Sequence, residues 1–570
     1  MKQSTVYTLT ANCQDCYRCV RVCPVNAIRV SGGQAQVQDE LCIKCGTCVR
    51  ECPQHAKTII SSLDDAKQII SSGVITVASV APSFVAVFGK ELASRFPSAL
   101  RRLGFHHVCE TAEGAKYVTD KSFMPETAGS ICTACPAVVN YVEQYKPELI
   151  PELIPVVSPM IAHGRLLKEY YPGCAVVFIG PCAAKKQEAR RPEYQGIIDA
   201  VLTFTELQEW FDEEDIHLEN CIESGFENKK DLGDARLFPI QGGMLKTGNI
   251  AGDIADTDVL HVSGIDDVMT LFDTDKNRWN YRYVELLFCK GGCIDGPAVC
   301  DGKNMLVRRK DIIDYAEKMN ALPKTDDPTE VDYDAKFDKD EQARPEVSEA
   351  QINIVLERTG KSDPVWELNC GACGYKTCRE NAEAVVRGMA EPEMCVSYMR
   401  RLAQQRTDRI IETTPNGIVI LDQELRILEM NPAFQKMFLC NNGILGRHIS
   451  YLVNAEGYEK LMTENIDKYE SIQSKYGIRY HEILYPLREE EQYIGIYSDI
   501  SKVKFDNKQL DVVTAQTLKH AREFLNHQIT FAQEMAHFLG KSTAKSEELA
   551  RSIINLYESP QDADEKKGVK

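Results

Sequence analysis

The cysteines carry the chemistry of this chain. Residues 1–60 hold one pattern twice, Cys13-x2-Cys16-x2-Cys19-x3-Cys23-Pro24 and Cys42-x2-Cys45-x2-Cys48-x3-Cys52-Pro53. Such tight spacing lets a short loop wrap three thiolates round one iron–sulfur cubane, while the Cys-Pro sends its sulfur to the other cluster. One 4Fe-4S cluster is thereby expected on Cys13, Cys16, Cys19 and Cys52, and a second on Cys42, Cys45, Cys48 and Cys23. Zinc, which also takes four thiolates, is the alternative at this point, although it has no need of the doubled motif with both prolines. A further set, Cys370-x2-Cys373-x4-Cys378-x16-Cys395, again suits a cubane, with zinc as the alternative. Cys135, Cys182, Cys289 and Cys293 are spread over the middle of the chain.

These thiols need elements to hold them. From about 70 to 310 apolar strands alternate with amphipathic helices, which predicts a largely parallel α/β core. Val74–Ala81 and Ala175–Ile179 read as buried strands, and Thr203-Phe204-Thr205-Glu206 is a capping box that opens a helix running through Trp210. Cys182 follows one such strand and Cys289 and Cys293 follow the run VELLF, at strand ends where ligands gather in these folds. The stretch Leu322–Glu349 is rich in Asp, Glu, Lys and Pro and reads as an exposed acidic linker. Residues 404–503 show strands at Gly417–Leu421, Arg426–Met430, His481–Leu487 and Tyr493–Ile500, with a helical zone starting at Asn431, so a small α+β domain is predicted. Beyond Lys502 the pattern is helical to about Tyr557, with Phe524, Phe531, Met535 and Phe538 at helical intervals.

Composition narrows the function classes. A length of 570 residues suggests about four domains. Hydrophobic content of 44% and charged content of 26% exclude a collagen-like or wholly disordered chain. A net charge of −18 argues against nucleic acid and against an anionic membrane. The start, MKQSTVYTLT, is polar and no stretch approaches 18 uninterrupted apolar residues, so a cytoplasmic location is expected. In that reducing compartment, 22 cysteines point to metal ligation and not to disulfides.

Three pieces carry a resemblance: Thr133-Ala134-Cys135-Pro136, the run Gly180-Pro181-Cys182-Ala183-Ala184-Lys185-Lys186-Gln187-Glu188, and the run Glu285-Leu286-Leu287-Phe288-Cys289-Lys290-Gly291-Gly292-Cys293. In this order, behind a two-cluster ferredoxin-like module, they resemble the signature loops of iron-only (FeFe) hydrogenases. The resemblance implies that Cys135, Cys182, Cys289 and Cys293 hold the cubane of an H-cluster. Cys293 would also bridge to a two-iron subcluster with carbonyl, cyanide and dithiolate ligands. Lys185 would hydrogen-bond an iron-bound cyanide, and maturation proteins would supply the two-iron unit. Cys370 to Cys395 resembles the single-cubane domain of corrinoid iron–sulfur proteins. Residues 404–503 resemble a PAS sensor domain, carried by IIETTPNGIVILDQELRILEMNPAF and by YIGIYSDIS.

The fold class expected is thus multidomain α+β and α/β. It comprises a two-cluster ferredoxin domain (1–65), an H-cluster domain (66–320), an acidic linker (321–350), a single-cluster domain (351–403), a PAS domain (404–503) and C-terminal helices (504–570). The cofactors expected are one H-cluster and three accessory 4Fe-4S clusters. Departures from the family pattern carry information too. The residue before the first ligand, a proton-passing cysteine in fast hydrogenases, is Ala134, whose methyl has no exchangeable proton. Methionines usually packed on the two-iron unit are replaced by Gly180 and Leu287, which is expected to change both polarity and room there. Slow turnover is predicted, with Cys132 weighed as a substitute carrier against the plainer reading of an inert buried thiol.

The leftover Cys109, Cys132, Cys174, Cys221, Cys300 and Cys440 are assigned to packing. His448 and His481 are weighed as haem ligands against ordinary structural histidines. His520 and His527 lack the Gly-rich ATP site that a histidine kinase needs. The arrangement resembles the sensory group of FeFe hydrogenases, which implies slow, reversible H2 oxidation with electrons passed to the accessory clusters and on to PAS-mediated signalling. Alternatives are a metabolic hydrogenase linked to ferredoxin, and a non-catalytic redox-sensing scaffold of cubanes. Expected partners are H2 and protons, a ferredoxin, a downstream kinase or phosphatase, and a second copy of the chain.

Overall fold

The computed structural model describes residues 4–501 apart from 230, 251–257, 275–280, 300–301, 321–328, 330, 343 and 489. Cys300, His520, His527 and the helices expected over 504–570 lie outside the described residues. The chain divides into two units, Met1–Leu402 and Ala403–Lys570.

In the first unit, the N-terminal cysteine repeats fold as near-copies. Left-handed backbone recurs at matched positions, Asp15 with Lys44, Tyr17 with Gly46 and Asn26 with His55. Each loop leads into a four-residue helix, Arg18–Arg21 or Thr47–Arg50. Val6–Thr8 pairs antiparallel with Lys57–Ile59, and Ile28–Ser31 with Gln34–Val37.

The α/β core contains a four-stranded parallel sheet in the order His107–Glu110, Thr76–Val80, Ala175–Gly180, Ala200–Thr203. Val77 lies opposite His107, Thr76 opposite Ala175, and Val177 opposite Ala200. Helices cover both faces, so all five residues of Thr76–Val80 and all six of Ala175–Gly180 are buried, which is why these segments read as apolar runs without alternation. The capping box forms as expected: Thr203 Oγ1 accepts from Glu206 N, and Glu206 accepts from Thr203 N at 2.7 Å and from Lys186 Nζ at 2.9 Å. A second parallel pair, Val259–Ser263 with Tyr283–Leu287, closes the core on another side.

The expected acidic linker is corrected. In its described part the segment is a strap on the α/β core: Val157 N donates to Tyr333 O, Ala335 N to Pro155 O, Asp340 N to Glu143 O, and Arg344 Nη2 to Val25 O. Ala335 is buried and Tyr333 and Phe337 pack beside it. The charged side chains face water while Tyr333, Ala335 and Phe337, two residues apart, share the inner side as in a strand. Averaged composition hides that alternation.

The second unit has a five-stranded antiparallel sheet in the order Ile427–Met430, Gly417–Leu421, Gln492–Asp499, Ile478–Leu487, Tyr469–Lys475. Asn431 caps the helix Pro432–Met437 by accepting from Phe434 N at 2.9 Å. Strand Tyr469–Lys475 is an addition to the four expected; its polar, half-exposed edge position leaves little apolar signal. Phe434, Phe438, Tyr458, Tyr480 and Tyr497 fill the space beneath the sheet.

Candidate functional site

The first two cysteine sets are interleaved. The buried Cys19 thiol is pushed up to about 11 by desolvation and also by its neighbours Cys16, Cys13 and Cys52, with Lys57 opposing. Burial pushes Cys23 up to about 12, with Cys45 and Cys42 adding to the effect, and Cys48 is raised likewise beside Cys42, Cys45 and Cys23. Cys52 thus stands with the first loop and Cys23 with the second. Ala27 N donates to Cys23 Sγ and Ala56 N to Cys52 Sγ, both at 3.3 Å, so the two crossing sulfurs are oriented in the same way. Among the described residues no group of three or more His, Cys, Asp or Glu converges on the position of a single metal ion.

Cys370, Cys373, Cys378 and Cys395 line one open hollow of about 370 Å³, including its mouth, together with Lys361 and Ser397. Burial opposes ionisation of Cys395, but donation from Ser397, Tyr398 N and Lys361 outweighs it and holds this thiol below its ordinary value. Lys361 Nζ lies 3.1 Å from Cys395 Sγ. This loop packs on the first cysteine repeat: Arg21 Nη2 donates to Gly371 O at 3.1 Å, and a Cβ at Gly374 would meet Val20 Cβ at 3.0 Å.

The central four thiols face a cavity of about 890 Å³, including its mouth. Cys135 precedes the helix Pro136–Tyr145 and Cys182 precedes Ala183–Glu188, so both sulfurs sit where backbone N–H groups favour negative charge. Cys289 and Cys293 come from the turn after Tyr283–Leu287. That turn requires its glycines. Gly291 and Gly292 have φ of 72° and 106°, and a Cβ at 291 would lie 2.5 Å from Met305 Sδ. Burial raises the Cys182 thiol to about 11 and raises Cys289 and Cys293 further, with each other's charges adding to it.

Lys185 lies one helical turn beyond Cys182, reaches the same cavity, and is paired with Glu188 at 2.8 Å. Ala134 and Leu287 also line the wall. At Gly180 there is no added room: Phe178 lines the cavity, and its ring atom Cε1 stands 2.7 Å from where a Cβ at 180 would lie. Cys45, from the second cysteine repeat, opens on the same cavity, and Arg50 beside it donates to Asp295 Oδ2 at 3.0 Å. A Cβ at Gly46 would meet Pro297 at 2.6 Å, so the repeat and the cavity wall are in direct contact.

A four-thiol corner, apolar walls and one ammonium donor fit a cubane carrying an anionic, ligand-rich iron group; nothing in the lining opposes it.

Glu285 has no role in the sequence reading beyond its place at the start of the third loop. It is fully buried in the strand leading to Cys289, its Oε2 has no hydrogen-bond partner, and burial pushes its carboxyl up to about 8 despite N–H groups of Met244, Gly242 and Leu245. A glutamate inside the apolar run VELLF was the available signal. Cys132 is buried, its thiol raised by desolvation and then by Glu285. Cys109, Cys174 and Cys221 are buried as expected, and Cys440 packs against the core of the second unit. His448 is half-buried and hydrogen-bonds Ser450 Oγ at 2.8 Å; His481 lies on the outward side of its strand, between the inward Tyr480 and Glu482. Neither occupies the interior of the PAS-like sheet.

Residues 74–297 match the family described as iron only hydrogenase large subunit, C-terminal domain; 5–54 match a 4Fe-4S dicluster domain; 367–397 an Fe-S cluster family; and 405–464 a PAS domain. Iron hydrogenase 1 of Clostridium pasteurianum is 25% identical over 276 residues, 38% of this chain and 47% of that one. The NADP-reducing hydrogenase subunit HndD of Solidesulfovibrio fructosivorans is 23% identical over 373 residues, 54% and 59% of the two chains. The cytosolic Fe-S cluster assembly factor NAR1 of Kluyveromyces lactis is 34% identical over 116 residues, 17% and 25%. The alignments thus span about half the length of the two hydrogenases. Among the described residues no helix is long and apolar enough to cross a membrane. In sequence order, then, the chain carries a 4Fe-4S dicluster domain, an iron-only hydrogenase large-subunit domain, an Fe-S cluster domain and a PAS domain.

Proposed function

We propose that this protein is a sensory-type iron-only hydrogenase that oxidises H2 slowly and reversibly and reports the result through its PAS domain. The observation that carries the reading is the single cavity onto which Cys135, Cys182, Cys289, Cys293 and Lys185 all open. The four thiols would hold the cubane of an H-cluster, with Cys293 as the bridging sulfur. The group, when bound, supplies heterolytic cleavage of H2. Lys185, fixed by Glu188, offers an ammonium to an anionic ligand in surroundings where apolar walls exclude water. Cys45 on the same wall gives electrons a short way to the cluster of Cys42, Cys45, Cys48 and Cys23. From there Cys13, Cys16, Cys19 and Cys52, and then the set Cys370 to Cys395, continue the path through modules in contact. Ala134 leaves the cavity without the acid neighbour of fast enzymes, so turnover is low and the protein works as a gauge. The expected setting is cytoplasmic, with maturation proteins, a ferredoxin and a downstream kinase or phosphatase as partners.

The test is an infrared spectrum of protein matured with the two-iron cofactor, taken under H2 and then CO. Carbonyl and cyanide bands that respond to both gases are expected, together with weak H2-dependent dye reduction; absence of both defeats the reading. A second reading, a non-catalytic cubane scaffold, is favoured by the 34% identity to an Fe-S cluster assembly factor. It requires about 16 irons per chain, against about 18 for three cubanes and an H-cluster.

A further inference from the structure

Ala134 removes one proton carrier, yet H2 chemistry in a buried cavity needs protons to enter and leave. One line of buried polar side chains outside the metal-ligand set runs from the cavity wall toward the surface. Thr111 lines the cavity, and its Oγ1 is 2.8 Å from Ser79 Oγ. Ser79 Oγ is 2.7 Å from His163 Nδ1. Across the ring, His163 Nε2 faces Glu113 Oε2 at 3.6 Å, and neither atom has any other hydrogen-bond partner. The other carboxylate oxygen of Glu113 accepts from Tyr170 OH at 3.3 Å and from Lys229 N at 3.2 Å. Ser79, Glu113 and His163 have no exposed surface and Thr111 almost none, whereas Tyr170 and Lys229 reach solvent in part.

Two facing polar atoms without other protein partners in a buried interior are costly, so they call for a role. The fold brings them together deliberately. A Cβ at Gly114 would lie 2.7 Å from His163 Cβ, so the glycine lets helix Ala112–Ser122 press onto helix Pro159–Tyr170 and set the imidazole beside Glu113. The gap of 3.6 Å exceeds hydrogen-bond length by a few tenths of an ångström, and such bonds tighten in working complexes.

We propose that His163 is the proton carrier of a relay, Thr111–Ser79–His163–Glu113, joining the cavity wall to the surface at Tyr170 and Lys229. This inference rests on the functional reading above. Outward, Thr111 takes a proton from the cavity and passes its own to Ser79, which passes its own to His163 Nδ1. The imidazolium releases its Nε2 proton to Glu113 Oε2; the carboxyl then turns that proton to the Tyr170 hydroxyl, which takes it while giving its own to solvent. One proton crosses, no electron moves, and the imidazole ends as the Nδ1–H tautomer, which must be reset before the next pass. The return direction reverses each step.

The experiment compares Glu113→Gln and Ser79→Ala with Ser122→Ala, a buried hydroxyl off the line, all in the full chain. Before loading with the two-iron cofactor, 15N spectra of the imidazoles, assigned with His163→Gln, are expected to show a changed His163 protonation pattern in Glu113→Gln and none in Ser122→Ala. After loading, Glu113→Gln and Ser79→Ala are expected to keep the wild-type infrared bands while H2-dependent dye reduction falls about tenfold or more. Unchanged imidazole signals, wild-type rates, or an equal loss in Ser122→Ala overturns the relay. Wild-type protein without diatomic bands overturns the functional reading instead, and the imidazole spectra still decide whether His163 and Glu113 share a proton.

Discussion

Arg236→Met is expected to destabilise the α/β core strongly through a carboxylate far from water. Glu110 has no exposed surface and takes three contacts from Arg236, at 2.9 and 3.1 Å from Nε and 2.6 Å from Nη2. Tyr315 OH at 3.0 Å and Asn228 Nδ2 at 2.7 Å complete its shell. The arginine supplies the only cation among these partners, and burial of Tyr315 rules out charge compensation by solvent. Removing one member of such a buried pair costs about 3–5 kcal/mol, because the remaining charge stays buried without its counterion. With a urea slope of about 3 kcal/mol/M for a core of this size, the unfolding midpoint should fall by about 1–1.7 M. Glu110→Gln on top of Arg236→Met removes the orphaned charge and should restore most of the loss. Urea titration of both variants, followed by loss of tryptophan fluorescence change and by protease sensitivity, gives the comparison. A shift in the single variant worth less than about 1 kcal/mol, or a double variant no better than the single, refutes the reasoning.

Further outcomes follow from other residues. Glu285, raised to about 8 by burial, holds a proton in the folded chain and loses it in the unfolded one, so its contribution to stability is intact below about pH 4.5 and is lost as pH rises through 8. Glu285→Gln should therefore unfold at a higher temperature than wild type at pH 9, with the advantage shrinking toward pH 5; a constant difference across that range contradicts the assignment. Lys361→Met removes a charged donor from Cys395 Sγ and should move the potential of the Cys370–Cys395 cluster down by on the order of 60 mV, read by redox-titrated electron paramagnetic resonance. Gly292→Ala places a methyl against Pro239 and Ile240 at a φ of 106°, and should abolish the infrared bands of the loaded site while the visible absorption of the accessory clusters persists.

The cysteine loops were legible because their chemistry is local. Three sulfurs within seven residues can meet only in a loop, and the paired prolines mark where the chain crosses to the other set. The interleaving of Cys52 with the first loop and Cys23 with the second follows that rule. The capping box at Thr203 and the buried strand from Ala175 were legible for the same reason, since both depend on neighbours within a turn or on an unbroken apolar run. Other features came only from tertiary contact. Phe178 fills the place beside Gly180, so loss of a side chain at 180 did not open space. Tyr333, Ala335 and Phe337 hold a strap that average composition presents as solvated.

His163 and Glu113 stand 50 residues apart in sequence and meet only because Gly114 lets two helices touch. Residue type and spacing determine what a chain segment can bind, because ligand geometry within a loop is set by a few covalent links. Which distant acid, ring or hydroxyl surrounds that segment is decided by packing, whose partners are chosen by shape and burial across the whole core and leave no periodic mark in the sequence.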